Sequence, residues 1–96
     1  MIRLIAETAW HHEGDYLFMK NLVTRICESS KADIVKMHLT LDLDEYMNKD
    51  HEAYATLKSW MFSPEQWEEL ISIVRTNGKE LMLLLNDVKS IEFAKK

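Results

Sequence analysis

Apolar and polar positions along this chain fall into two rhythms, one of strands and one of helices, and the two alternate. Ile2 to Ala9 is short and apolar, is bounded by the polar run His11 to Asp15, and reads as a strand. Asp15 is placed to cap a helix running to about Ser29, because its carboxylate accepts from the free amides of a first turn. Phe18, Leu22, Val23, Ile26 and Cys27 recur at helical spacing and predict the buried face of that helix. Asp33 to Leu39 predicts a second strand, carrying Ile34, Val35 and Met37. Thr40 to Phe62 begins polar and turns aromatic, and within it Asp50 to Trp60 predicts a short helix with Tyr54, Leu57 and Trp60 on one side.

Ser63-Pro64-Glu65-Gln66 is a helix start: Ser63 as cap, Pro64 at the first helical position, Gln66 closing a capping box. Trp67, Leu70, Ile71 and Val74 make the apolar stripe, and Gly78 stops the helix by taking a left-handed conformation. Glu80 to Leu85 is a nearly continuous apolar run, which predicts a parallel strand buried on both faces. Asp87 opens a last helical segment ending at Lys95 and Lys96. Strands alternating with amphipathic helices predict the α/β class, built from parallel βαβ units. A doubly wound sheet and a barrel both begin this way, and periodicity does not separate them.

Composition narrows the class. The 96 residues amount to one domain or a piece of one, and 47% hydrophobic with 29% charged residues is a globular balance. A formal net charge of -4 argues against a nucleic-acid partner, whose footprint is a basic patch. The one cysteine, Cys27, leaves no internal disulfide; among Leu22, Val23 and Ile26 it reads as a buried thiol, and a reducing, cytoplasmic setting is expected. Met1-Ile2-Arg3-Leu4 lacks the apolar run of a signal peptide. No stretch approaches the ~20 apolar residues of a membrane span.

Strand alternation selects the candidate chemistry. Arg3, Ile5 and Glu7 share one face of the first strand, and Ile34, Lys36 and His38 share one face of the second. Val35 and Met37 suit packing under helices, which leaves Lys36 and His38 on the other side, toward the carboxyl end where parallel α/β folds bind ligands. Charges in a buried strand are costly unless paired or used. Glu7 and Lys36 therefore either pair across adjacent strands or serve a site. His11, His12 and Glu13 follow the first strand, and with His38 they are the residue types of a metal site. Adjacent histidines in an extended loop point apart, however, so the plainer reading is rim histidines in water or hydrogen bonds. The acidic run Asp42, Asp44, Glu45, Asp50 and Glu52 lacks the glycine and spacing of a calcium loop and reads as solvated. Trp60, Phe62 and Trp67 read as core or interface. There is no phosphate-binding glycine loop, CxxC or nucleophile elbow.

Several segments together resemble the sialic acid synthase family. Ile5-Ala6-Glu7 followed by His11-His12-Glu13-Gly14-Asp15 is similar to that family's I-A-E strand and N-H-N-G-D loop. Ala32-Asp33-Ile34-Val35-Lys36-Met37-His38 resembles A-D-x-V-K-F-Q, and Asp87, Ser90, Ile91, Glu92 and Phe93 resemble D-x-x-S-hydrophobic-acidic-F. Tyr54, Leu57, Ser63 to Leu70 and Gly78 fall in the family's order between them. The resemblance runs over nearly the whole chain. His38 stands in place of the family glutamine, His11 and Glu13 replace the loop asparagines, and Leu83-Leu84-Leu85-Asn86 replaces a polar S-T-P-F.

The resemblance implies the start of a TIM-type (β/α) barrel, partial, with about three βα units. Its parent would be a cytoplasmic transferase that condenses phosphoenolpyruvate with an N-acetylated amino sugar. By the same resemblance, Glu7 would act on the sugar or the reacting water and Lys36 would meet the phosphate or carboxylate of phosphoenolpyruvate. His12 would line the barrel mouth, and His12 and His38 are the further substrate-binding candidates after Glu7 and Lys36. The divalent metal, manganese or magnesium, would be held by later strands outside this chain, with His11, His12 and His38 the candidates within it. A barrel needs about 250 residues, so the chain alone is expected to be inactive and to associate through open strand edges, as a homo-oligomer or with the rest of the fold. A non-catalytic α/β module that self-assembles or binds a protein partner is the alternative.

Overall fold

Asp15 and Ser63 start the two long helices by the bonds their side chains imply. The computed structural model describes residues 3–10, 12–29 and 31–95, with Ser29 described by its backbone alone. Its elements, in order, are β1 (Ile5–Glu7), α1 (Tyr16–Ser29), β2 (Ile34–Leu39), α2 (Leu43–Tyr46), α3 (Tyr54–Ser59), α4 (Pro64–Thr76), β3 (Glu80–Leu85) and α5 (Val88–Ala94). The three strands form one parallel sheet in the order β1-β2-β3. Three parallel strands joined through helices make an α/β fold.

β1 is shorter than the Ile2 to Ala9 stretch that predicts it; Ile2 lies outside the described residues. The Thr8 amide still bonds to the Lys36 carbonyl at 3.0 Å, but Ala9 then takes a φ of 44°, which turns the chain out of the sheet. In α1, Asp15 Oδ1 accepts from the Phe18 amide at 3.0 Å. The buried stripe is Met19, Val23 and Cys27, with Leu22 and Ile26 at its margin. Phe18 is a correction: it is 49% exposed, and Met19, one position on, takes the core place. A step of about 100° around a helix separates the two, and the row that faces the sheet follows i, i+4, i+8. Burial also pushes the Cys27 thiol up, so it is a packed thiol and not an activated one.

The segment between β2 and α4 holds α2 as well as the expected short helix. Leu43 is the buried anchor of α2, and the Tyr54 hydroxyl donates to the Asp44 carboxylate to tie α3 to it. In α4, Ser63 Oγ accepts from the Gln66 amide at 3.2 Å and Gln66 Oε1 accepts from the Ser63 amide at 2.8 Å. Trp67, Leu70, Ile71 and Val74 are all buried. Gly78 ends the helix with a φ of 74°. Asp87 caps α5, accepting from the Ser90 amide at 2.7 Å, and its other oxygen accepts from the Leu41 amide at 2.9 Å, which pins α5 to the end of β2.

β3 corrects the expectation of burial on both faces. Glu80, Met82 and Leu84 are exposed, whereas Leu81, Leu83 and Leu85 are half-buried against the core. The core lies on one side of the sheet only: Val35, Met37 and Leu39 of β2 meet Met19, Val23 and Cys27 of α1 and Trp67, Leu70, Ile71 and Val74 of α4. Each fully buried side chain of this kind contributes about 1.5–3 kcal/mol. The opposite face stays uncovered. Among the described residues no helix is long and apolar enough to cross a membrane.

Candidate functional site

The uncovered face collects the charged strand residues. Because β1 and β2 are in register at Glu7↔Lys36, and because His38 lies two positions beyond Lys36 on the same face, one carboxylate stands beside both. Glu7 Oε1 is 2.7 Å from His38 Nε2, and Glu7 Oε2 is 3.9 Å from Lys36 Nζ. The side chains are 47%, 27% and 17% exposed for Glu7, Lys36 and His38. All three are shielded on the helix side and open on the other. Sequence alternation placed Lys36 and His38 opposite Val35 and Met37, and that is where they lie.

Three further residues bear on this group and were not singled out by the sequence, two on this face and one beneath it. β2 and β3 pair at Lys36↔Met82 and His38↔Leu84. Met82 and Leu84 therefore form an apolar wall beside the polar group. A run of leucines carries no sign of which ones turn away from the helices; the register decides it. Thr8 is the third: its Oγ1 donates to the Lys36 carbonyl at 3.1 Å, which fixes the backbone that carries the lysine.

His12 sits in the loop after β1 and is 2% exposed. Its Nδ1 accepts from the Gly14 amide at 2.9 Å. Its ring centroid lies 4.3 Å from that of Phe62 and 5.7 Å from that of Trp10, and Phe62 in turn meets Tyr16 and Trp67. The structure thus places His12 at the ligand end of the sheet but inside an aromatic cluster. Trp60, Phe62 and Trp67 belong with the interior, as expected of them: Phe62 and Trp67 are buried and Trp60 is half-buried against Gly14. Glu13 and Gly14 both have positive φ, 49° and 83°, so this loop is a sharp, over-determined turn.

The metal candidates divide. His11 lies outside the described residues. Among the described residues no group of three or more His, Cys, Asp or Glu side chains stands close enough to hold a metal ion. Glu7 and His38 supply two donors, but the Lys36 ammonium beside them opposes a cation. These residues do not fit a resident metal ion.

No protein-family model and no curated protein matches the sequence. Solved structures match the fold over almost the whole chain. An N-acetylneuraminic acid (sialic acid) synthetase from Leptospira borgpetersenii, solved with citrate, superposes with a TM-score of 0.84 at 19% identity, over 98% of this chain and 32% of its own. A protein described as spore coat polysaccharide biosynthesis protein E, from Chromobacterium violaceum, gives 0.77 at 19% identity over 99% and 31%. The spore coat polysaccharide biosynthesis protein spsE of Bacillus subtilis gives 0.67 at 20% identity over 98% and 26%. At this identity the likeness is one of fold. The chain spans about a third or less of the length of each of these proteins. The α/β architecture that the sequence predicts is the one these structures share with it.

Proposed function

We propose that this chain is the amino-terminal part of a sialic-acid-synthase-like (β/α) barrel, and that its parent is a transferase condensing phosphoenolpyruvate with an N-acetylated amino sugar. The observation that carries the reading is the meeting of Glu7, Lys36 and His38 on the uncovered face of a parallel sheet. In a barrel that face is the inner wall, and substrates bind at the carboxyl ends of the strands. Lys36 meets the phosphate or carboxylate of phosphoenolpyruvate as a point charge. Glu7 faces the sugar or the reacting water, with His38 beside it. His12 supports the mouth of the site from within the loop it anchors. A manganese or magnesium ion would be held by parent residues outside this segment. The setting is cytoplasmic, with neither nucleic acid nor membrane as partner.

The parent open reading frame, expressed in full, is assayed for phosphate release from phosphoenolpyruvate. Release that requires an N-acetylated hexosamine, with a raised KM for phosphoenolpyruvate in Lys36→Ala, is the expected result. An unchanged KM in that variant sinks the assignment.

One observation favours a second reading, a self-assembling module. Ile5, Met82 and Leu84 are 51%, 37% and 41% exposed on the same face, and among the described strands the outer edges of β1 and β3 are unpaired. Sedimentation of the 96-residue chain against concentration separates the readings. A defined dimer that Leu84→Lys dissociates supports the module, and a monomer removes it.

A further inference from the structure

His38 is paired differently from the residue it faces. Its register partner on β3 is Leu84, an apolar neighbour with nothing to titrate. Its one charged contact is Glu7 on β1, at 2.7 Å from Nε2, and Lys36 lies on the same carboxylate's other oxygen at 3.9 Å. Another ion pair among the described residues, Arg3 with Glu80, ties the amino-terminal ends of β1 and β3 and not this end. A carboxylate can only accept a hydrogen bond from a neutral imidazole, so Glu7 requires the proton of His38 to sit on Nε2. Nδ1 is then left with its lone pair. Among the described residues no hydrogen bond takes up that atom.

We infer that Glu7 and His38 form an acid–base dyad in which His38 Nδ1 is the proton acceptor of the site and Glu7, besides facing the reactants, orients the imidazole. The substrate class is an anion that Lys36 holds, with a hydroxyl or water adjacent to it. In the step, the O–H bond of that hydroxyl or water breaks and an Nδ1–H bond forms. The electron pair stays on the oxygen, and the imidazolium is stabilised by the Glu7 carboxylate. This arrangement of carboxylate, imidazole and reacting oxygen is a general one for activating oxygen nucleophiles. It deepens the proposed reading by naming the group that moves the proton, and only its kinetic arm rests on that reading.

The first arm is nitrogen-15 NMR of the 96-residue chain, which reports the protonation of each ring nitrogen. At a pH where the ring carries a single proton, the expected result is that proton on Nε2 and a bare Nδ1. In Glu7→Ala, with an unchanged spread of amide signals, the Nε2 proton exchanges at least about tenfold faster, the loss of one charge-assisted hydrogen bond. A proton on Nδ1 in the wild type, or an exchange rate indifferent to Glu7→Ala, overturns the dyad. The second arm uses the full-length parent. His38→Ala lowers kcat by about a hundredfold or more and removes a limb of the pH profile, while KM for phosphoenolpyruvate holds. Unchanged kcat in that variant also overturns the dyad. A wild-type parent that releases no phosphate from phosphoenolpyruvate instead overturns the proposed function, and the NMR arm still decides the dyad.

Discussion

Glu7 faces Lys36 in the sheet register, yet its shorter contact, 2.7 Å, is to His38, two positions along the same strand as the lysine. One carboxylate therefore neutralises the lysine and orients the imidazole at once. The residue between them on β2, Met37, is fully buried on the other face, so neither polar neighbour can turn away into the core.

The Glu7–Lys36 pair is open to water on one side, and a pair of that kind is worth ~1 kcal/mol or less. Lys36→Ala is expected to leave the unfolding free energy of the chain within about 1 kcal/mol of the wild type. Under the proposed function, the same variant of the parent is expected to raise KM for phosphoenolpyruvate. Urea unfolding beside steady-state kinetics checks both, and a large loss of stability would make Lys36 a structural residue.

Met19 and Phe18 are adjacent in sequence and opposite in environment. Met19→Ala empties a fully buried site and is expected to cost about 2–5 kcal/mol. Phe18→Ala acts on a half-exposed ring and is expected to cost less than about 1 kcal/mol. Equal losses in chemical denaturation would contradict the orientation of α1.

Both glycines have positive φ, but only one is crowded. A Cβ at Gly14 would lie 2.9 Å from Trp60 Cα, a backbone atom that cannot swing aside, whereas a Cβ at Gly78 would meet nothing within 4 Å. Gly78→Ala is expected to cost about 1 kcal/mol, the left-handed penalty alone. Gly14→Ala is expected to cost about 3 kcal/mol or more and to loosen the loop that carries His12. Thermal unfolding of the two variants gives the order.

Tyr16 donates its hydroxyl to Glu69 and joins α1 to α4. Burial first, and then the Glu69 carboxylate, push the Tyr16 phenol well above its ordinary value. The hydrogen bond from Tyr16, followed by Lys20, holds the Glu69 carboxyl below its ordinary value. The phenol's contribution is thus present below the ordinary phenol value and is lost as pH rises through the raised one. The carboxylate's contribution is present above the ordinary carboxyl value and is lost as pH falls through the lowered one. Ultraviolet titration is expected to show a late phenol ionisation that Tyr16→Phe removes. The stability gap between wild type and Glu69→Gln is expected to close on the acid side.

What the sequence determined by itself was local or periodic. Ser63, Pro64 and Gln66 act within one helical turn, Asp15 and Asp87 cap helices within three residues, and Lys36 and His38 fall on one face because strand side chains alternate. The tertiary structure decided what depends on rotation and register between elements. Phe18 and Met19 are both apolar and one residue apart, so only the docking of α1 on the sheet says which is buried. The apolar run Glu80 to Leu85 reads the same whether one face or two is covered, and the core's position on one side of the sheet exposes Met82 and Leu84. The imidazole's partner was also invisible in sequence: 31 positions separate Glu7 from His38, and the parallel pairing of β1 with β2 brings them together.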